Sequence, residues 1–206
     1  MEEITIEKAL EFLCGVYFGR TYGDDPCKAA SSRAYRDFNR TIRFKQKDND
    51  KDNDKKRKEL REETTILIRE FIQKLKDNEC LDQDTFDDEH KKLSESIIST
   101  YKHEVEEFTH GQAQKWVNMT LKYVYVLDKA EIQSIFQYCH VPIDNYILDC
   151  AKKEFGINKR KEAWSLWDND TYREYQEDLR NAIKGKYPKE CPLRWEFDAW
   201  MIASGN

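Results

Sequence analysis

Lys115, Asn118, Lys122, Tyr125 and Lys129 fall on one strip of a segment, 112–127 and just beyond, whose other positions are Trp116, Val117, Met119, Thr120, Tyr123, Val124 and Leu127. Wound at 3.6 residues per turn, this is a helix apolar nearly all round with a single polar strip. An amine held on such a helix must reach water, an acid or a ligand, because an unpaired desolvated charge is expensive. Lys115, just past the helix start, is therefore a candidate nucleophile or phosphate ligand, with snorkelling to solvent as the alternative reading. Further along, His140, Asp144 and Asn145 crowd the start of another helix, one that turns Ile143, Tyr146, Ile147 and Ala151 inward. A carboxylate there is stabilised by the helix dipole, either as a cap of the first turn or as an electrostatic partner for reacting groups. Asn118, His140 and Asn145 would complete a polar pocket around Lys115 and Asp144.

A second kind of chemistry is written in SSRAYRDFNRTIRFK. On a helix, Arg33, Arg36, Arg40 and Arg43 would lie within about 80° of one another, opposite Tyr35, Phe38 and Ile42. Residues 28–45 hold six bases and one acid, Asp37, in a chain whose net charge is −5. Arginine suits planar, two-pronged recognition of phosphate or carboxylate, so the stripe, with Lys122, reads as a phosphate-binding face. Pairing of these arginines with the acidic residues 82–89 is the competing structural reading. His103, Glu107 and His110 have ligand-compatible spacing, but Glu104 and Glu106 beside them suggest an acidic surface, and no metal or cofactor is expected. The pairs Trp164/Trp167 and Trp195/Trp200 read as packing anchors, with base stacking as the alternative. No GxxxxGK[ST], GxSxG or HExxH pattern occurs.

Gly111 followed by Lys115, and Val141-Pro142-Ile143-Asp144 followed by Tyr146 and Ile147, resemble the helix-hairpin-helix DNA glycosylases. In that family a glycine-containing hairpin, whose amides bind the DNA backbone, precedes a lysine that opens a buried helix, and a Val-Asp segment opens the next. The resemblance implies Lys115 as the nucleophile that attacks the sugar and Asp144 as the group that stabilises the developing cation. The phrases GQAQKWVNMTLKYVY and HVPIDNYIL are also similar to segments of bacterial proteins of unassigned function.

The elements that must position these residues follow from composition and periodicity. Seven glycines and four prolines in 206 residues leave few of the turns an all-β fold needs, so the expected fold is an all-α, multi-helix globular domain spanning 1–206. The charged fraction is 36% and mean hydropathy −0.92, yet 13% aromatic residues supply a core. Apolar spacing predicts helices over 4–18, over 31–44 from a cap at Ser31 or Ser32, and over 58–76, 112–127, 129–138 and 142–155. Residues 45–57, with no apolar side chain, read as a flexible charged loop or a solvated helix extension. Residues 77–107 carry eleven acids against three bases, with a helix in their second half. Six scattered cysteines read as free thiols, no apolar run reaches membrane-span length, and the acidic start is unlike a signal peptide, so a cytoplasmic protein is expected. Together these features lead to the expectation of a helical protein binding nucleic acid or nucleotide phosphates, with glycosylase-like base removal as its chemistry if it is an enzyme. The alternative is a non-enzymatic interaction module that offers its acidic surface to a protein partner.

Overall fold

The computed structural model describes residues 4–45 and 50–205. Its elements are α1 (Ile6–Phe18), α2 (Pro26–Phe38), α3 (Asp50–Lys76), α4 (Gln83–Tyr101), α5 (His110–Leu127), α6 (Lys129–Ile132), α7 (Asn145–Phe155), α8 (Asn169–Lys186) and α9 (Pro192–Ser204). Among the described residues there is no strand, only one isolated antiparallel bridge between Phe44 and Val105. The fold is all-α, as composition implies. No described helix is long and apolar enough to cross a membrane.

Helix starts follow the capping rules closely. Asp25, Asp82, Asp144 and Asp168 accept the backbone N–H three residues on and open α2, α4, α7 and α8. Gly156 closes α7 in the left-handed conformation, at φ 73°. Everything is built around α5, every residue of which from His110 to Val124 is buried. It packs most extensively on α2 and also meets α4, α6, α8 and the single turn 164–166.

Three expected elements differ in the structure. Helix α2 starts at Pro26, capped by Asp25, so Ser31 lies inside it, buried and bonded to Thr65 and the Trp116 indole. The same helix stops at Phe38, where the Thr41 hydroxyl takes the Phe38 carbonyl, and residues 43–45 run extended against 104–106. Residues 50–57 are the first turns of α3 and not a loop: Lys55 and Lys56 face Glu59, and the Arg57 guanidinium lies 4.5 Å from the Phe44 ring centre. The remainder of the charged segment, 46–49, lies outside the described residues. Helix α7 begins three residues after Pro142, because the Asp144 cap sets its start. Helix α1 forms as its spacing predicts, but none of its residues is buried; its end is held by Tyr17 and Phe18, whose rings meet Tyr123 edge-on.

Candidate functional site

Lys115 and Asp144 meet. The Lys115 ammonium lies 2.7 Å from one Asp144 oxygen and 3.4 Å from the Pro142 carbonyl, with its side chain only 4% exposed. The other Asp144 oxygen accepts the Ile147 N–H at 3.0 Å, so one carboxylate both caps α7 and neutralises the lysine. Lys115 owes its position to the start of α5, fixed by a reciprocal capping box between Thr109 and Gln112. Gly111 allows the turn 164–167 to lie against this helix: a Cβ there would stand 2.0 Å from the Trp164 carbonyl oxygen, and the Gly111 N–H donates to Trp167 O. Its missing side chain and its amide thus both serve a contact inside the protein.

Asn118 and His140 belong to an adjoining buried network. Assigning donors in order, His90 Nε2–H donates to Asn118 Oδ1, and the Asn118 amide donates to Gln114 Oε1 and to the Tyr172 hydroxyl. Tyr172 donates to His140 Nδ1, and His140 Nε2–H donates to Asp87 at 2.7 Å. Gln83 and Arg180 donate to the same carboxylate. Burial works against the charge on Asp87, but these bonds hold its carboxyl well below the usual range. Burial pushes His90 and His140 down, and pushes His110 to about 4, with His140 adding to the effect on His90 and His110. All three imidazoles are therefore neutral at pH 7. Asn145, by contrast, is exposed at the first position of α7 and bonds to none of these groups, so the expected pocket of Asn118, His140 and Asn145 divides in two.

Lys122, two turns beyond Lys115, is also buried, against Glu196 of α9: its amine lies 2.9 Å from Oε1 and 2.7 Å from Oε2. Burial raises the Glu196 carboxyl, opposed by Lys122 and then by Lys115, whose charge it also feels. Lys122 is consequently no part of an exposed phosphate face. Its outer side borders an open apolar cleft of about 510 Å³ walled by Tyr123, Phe197 and Trp200 together with Leu10, Leu13 and Tyr17 of α1. Trp200 is 39% exposed there, whereas Trp164, Trp167 and Trp195 are core anchors.

The four arginines do not share a helix face. Arg33 is half-buried, paired with Asp37 at 3.1 Å and stacked 4.1 Å over the Tyr17 ring. Arg36 is on α2, Arg40 in the single turn 39–41 and Arg43 in the extended stretch; all three are exposed, and none has an ion pair among the described residues. Four of the five acids of 82–89 are engaged elsewhere: Asp82 as a cap, Asp87 in the network, Asp88 with Arg173, and Glu89 with Lys74 and Lys92. His103 and Glu107 fall in the connection after α4 while His110 opens α5, so they share no helical face, and no group of three or more His, Cys, Asp or Glu among the described residues is arranged to hold a metal ion.

Sequence reasoning missed Asp87, His90, Tyr172, Arg180 and Glu196. The available signal was indirect: Gln114 and Asn118 are polar residues inside an apolar helix and demand buried partners, without identifying them. Comparison of the chain with protein-family models, curated proteins and solved structures finds no match in any of the three.

Proposed function

We propose that this protein binds a nucleic-acid strand through phosphates at Arg36, Arg40 and Arg43 and acts on a sugar–base bond with Lys115 and Asp144. The observation that carries the reading is the 2.7 Å contact between the Lys115 amine and the Asp144 carboxylate at the N-terminus of α7. Attack on a sugar C1′ needs the free electron pair of an amine and a fixed negative charge beside the sugar, and the pair brings these two groups together. The Lys115 ammonium passes one proton to the departing base, and its freed electron pair forms the C1′–N bond as the glycosidic bond breaks and that bond's electron pair leaves with the base. Asp144 stays ionised and opposes the positive charge that develops on the sugar.

A second reading rests on the 4% exposure of the Lys115 side chain and the capping role of Asp144: the pair is a structural bridge. Borohydride trapping on oligonucleotides containing an abasic or damaged site, across a salt series, separates the two. The functional reading expects a covalent adduct that is lost in Lys115→Ala, with binding that weakens steeply with salt and falls again in Arg36→Ala/Arg40→Ala. Salt-independent or absent binding, with no adduct from the folded wild-type protein, overturns it.

A further inference from the structure

A cavity of about 710 Å³ opens between α2 and α3 and shares no residue with the apolar cleft or with the Lys115–Asp144 pair. Its walls carry Lys28, Lys58, Arg61 and Arg69 against Asp25 and Glu62. Asp25 is already used: its carboxylate caps α2 through the Lys28 N–H and takes the Arg69 guanidinium at 2.9 and 2.8 Å. That bond set holds its carboxyl below the ordinary range even though burial opposes it. Lys28, Lys58 and Arg61 have no ion pair among the described residues, and Glu62 is the one acid left on the walls to offset them.

The floor is finished without a ligand. The Thr65 hydroxyl donates to Arg61 O, the Ser31 hydroxyl donates to Thr65 Oγ1, and the Trp116 indole N–H donates to Ser31. These groups are internally satisfied and rigid, so the surplus positive charge of the walls faces open space over a fixed base. Arg61 is held in place over the Tyr35 ring, 5.3 Å from its centre, which orients its guanidinium at low entropic cost. Like charges gathered around a concavity repel one another and create a potential that attracts an anion. The cavity has the volume of a small-molecule site rather than of a single-ion contact.

We propose that this cleft binds a phosphate-bearing ligand through Lys28, Lys58 and Arg61, whether a free oligophosphate or the terminal phosphate of a nucleic-acid strand. The site is independent of the Lys115 chemistry and of the arginines proposed above to hold a strand.

The test is thermal unfolding and calorimetric titration of the full chain with sodium tripolyphosphate at constant ionic strength. The proposal expects saturable binding and a raised Tm. Lys28→Glu/Lys58→Glu, two exposed positions that leave the Arg61–Tyr35 stack intact, abolishes both effects, while Arg40→Ala leaves them unchanged. A double variant that folds with wild-type helicity and still binds tripolyphosphate undiminished overturns the proposal, as does a wild type that shows no saturable binding. Competition identifies the source: displacement by a 5′-phosphorylated but not a 5′-hydroxyl oligonucleotide supports a strand end, and displacement by free nucleoside triphosphate alone supports a small ligand. Since Lys115 takes no part, loss of tripolyphosphate binding and loss of the borohydride adduct are separate failures.

Discussion

At the scale of single residues, Gly111 makes the sharpest prediction. Its Cβ position is filled by the Trp164 carbonyl oxygen, so Gly111→Ala must push the 164–167 turn off α5. Overpacking of this kind costs about 2–3 kcal/mol, read as a lower urea midpoint with an unchanged m value. A midpoint equal to wild type would mean that the turn is not held against the helix. The sequence marked Lys115 and Asp144 because a charge on an apolar helix and a carboxylate before a helix each break a local rule. It did not mark Glu196, which stands in the run WEFDAW as one of two acids, although it is fully buried against Lys122. Burial of that kind depends on where α9 crosses α5, and no local pattern encodes the crossing.

At the scale of elements, the aspartate caps differ in weight. Asp168 is exposed and caps the first turn of α8 through the Thr171 N–H, and Asp168→Ala should cost about 1 kcal/mol. Asp144 closes α7 and also neutralises Lys115, so Asp144→Ala leaves a buried ammonium without its acid and should cost roughly 4 kcal/mol. Equal losses for the two variants in chemical denaturation would show that Lys115 finds water when its partner is gone. The boundaries of these helices were partly legible. Spacing located α1 and α5 and the apolar part of α3 well, since apolar periodicity persists there, whereas α2 was placed five residues late because the Asp25-Pro26 cap was passed over in favour of two serines. Residues 50–57 carry no apolar side chain, and their helicity comes from continuity with the buried turns of α3 and from the Arg57 contact with Phe44. The scattering of the arginines followed from the same limit, as the extended stretch beyond α2 is held by a bridge between Phe44 and Val105, about sixty residues apart and invisible to a local reading.

At the scale of the whole molecule, three neutral histidines sit in one core, with ring centres of His90 and His140 only 4.7 Å apart. Their folded-state values are depressed by burial, with His110 at about 4, while in the unfolded chain each titrates near the ordinary 6.5. Between those values the unfolded chain binds more protons, so stability is complete above about pH 6.5 and is lost as pH falls toward 4, by about 3 kcal/mol for His110 alone. The Asp87 carboxyl, held low by His140, Gln83 and Arg180, adds a further loss that begins below its ordinary range near pH 4. Tm measured from pH 8 to pH 4 should be flat at first and then fall steeply. A profile level down to pH 5 would mean that the imidazoles reach protons without unfolding. The same architecture sets a timetable for synthesis. Asn118 waits for Tyr172, and Lys122 for Glu196, which follow them by 54 and 74 positions. At about 5–20 residues per second, the ribosome needs roughly 4 to 15 s to deliver the last of these partners. Throughout that interval α5 can already pack on α2 and α4, which precede it in the chain, while Asn118 and Lys122 stand on it without the partners that complete their bonding in the finished fold.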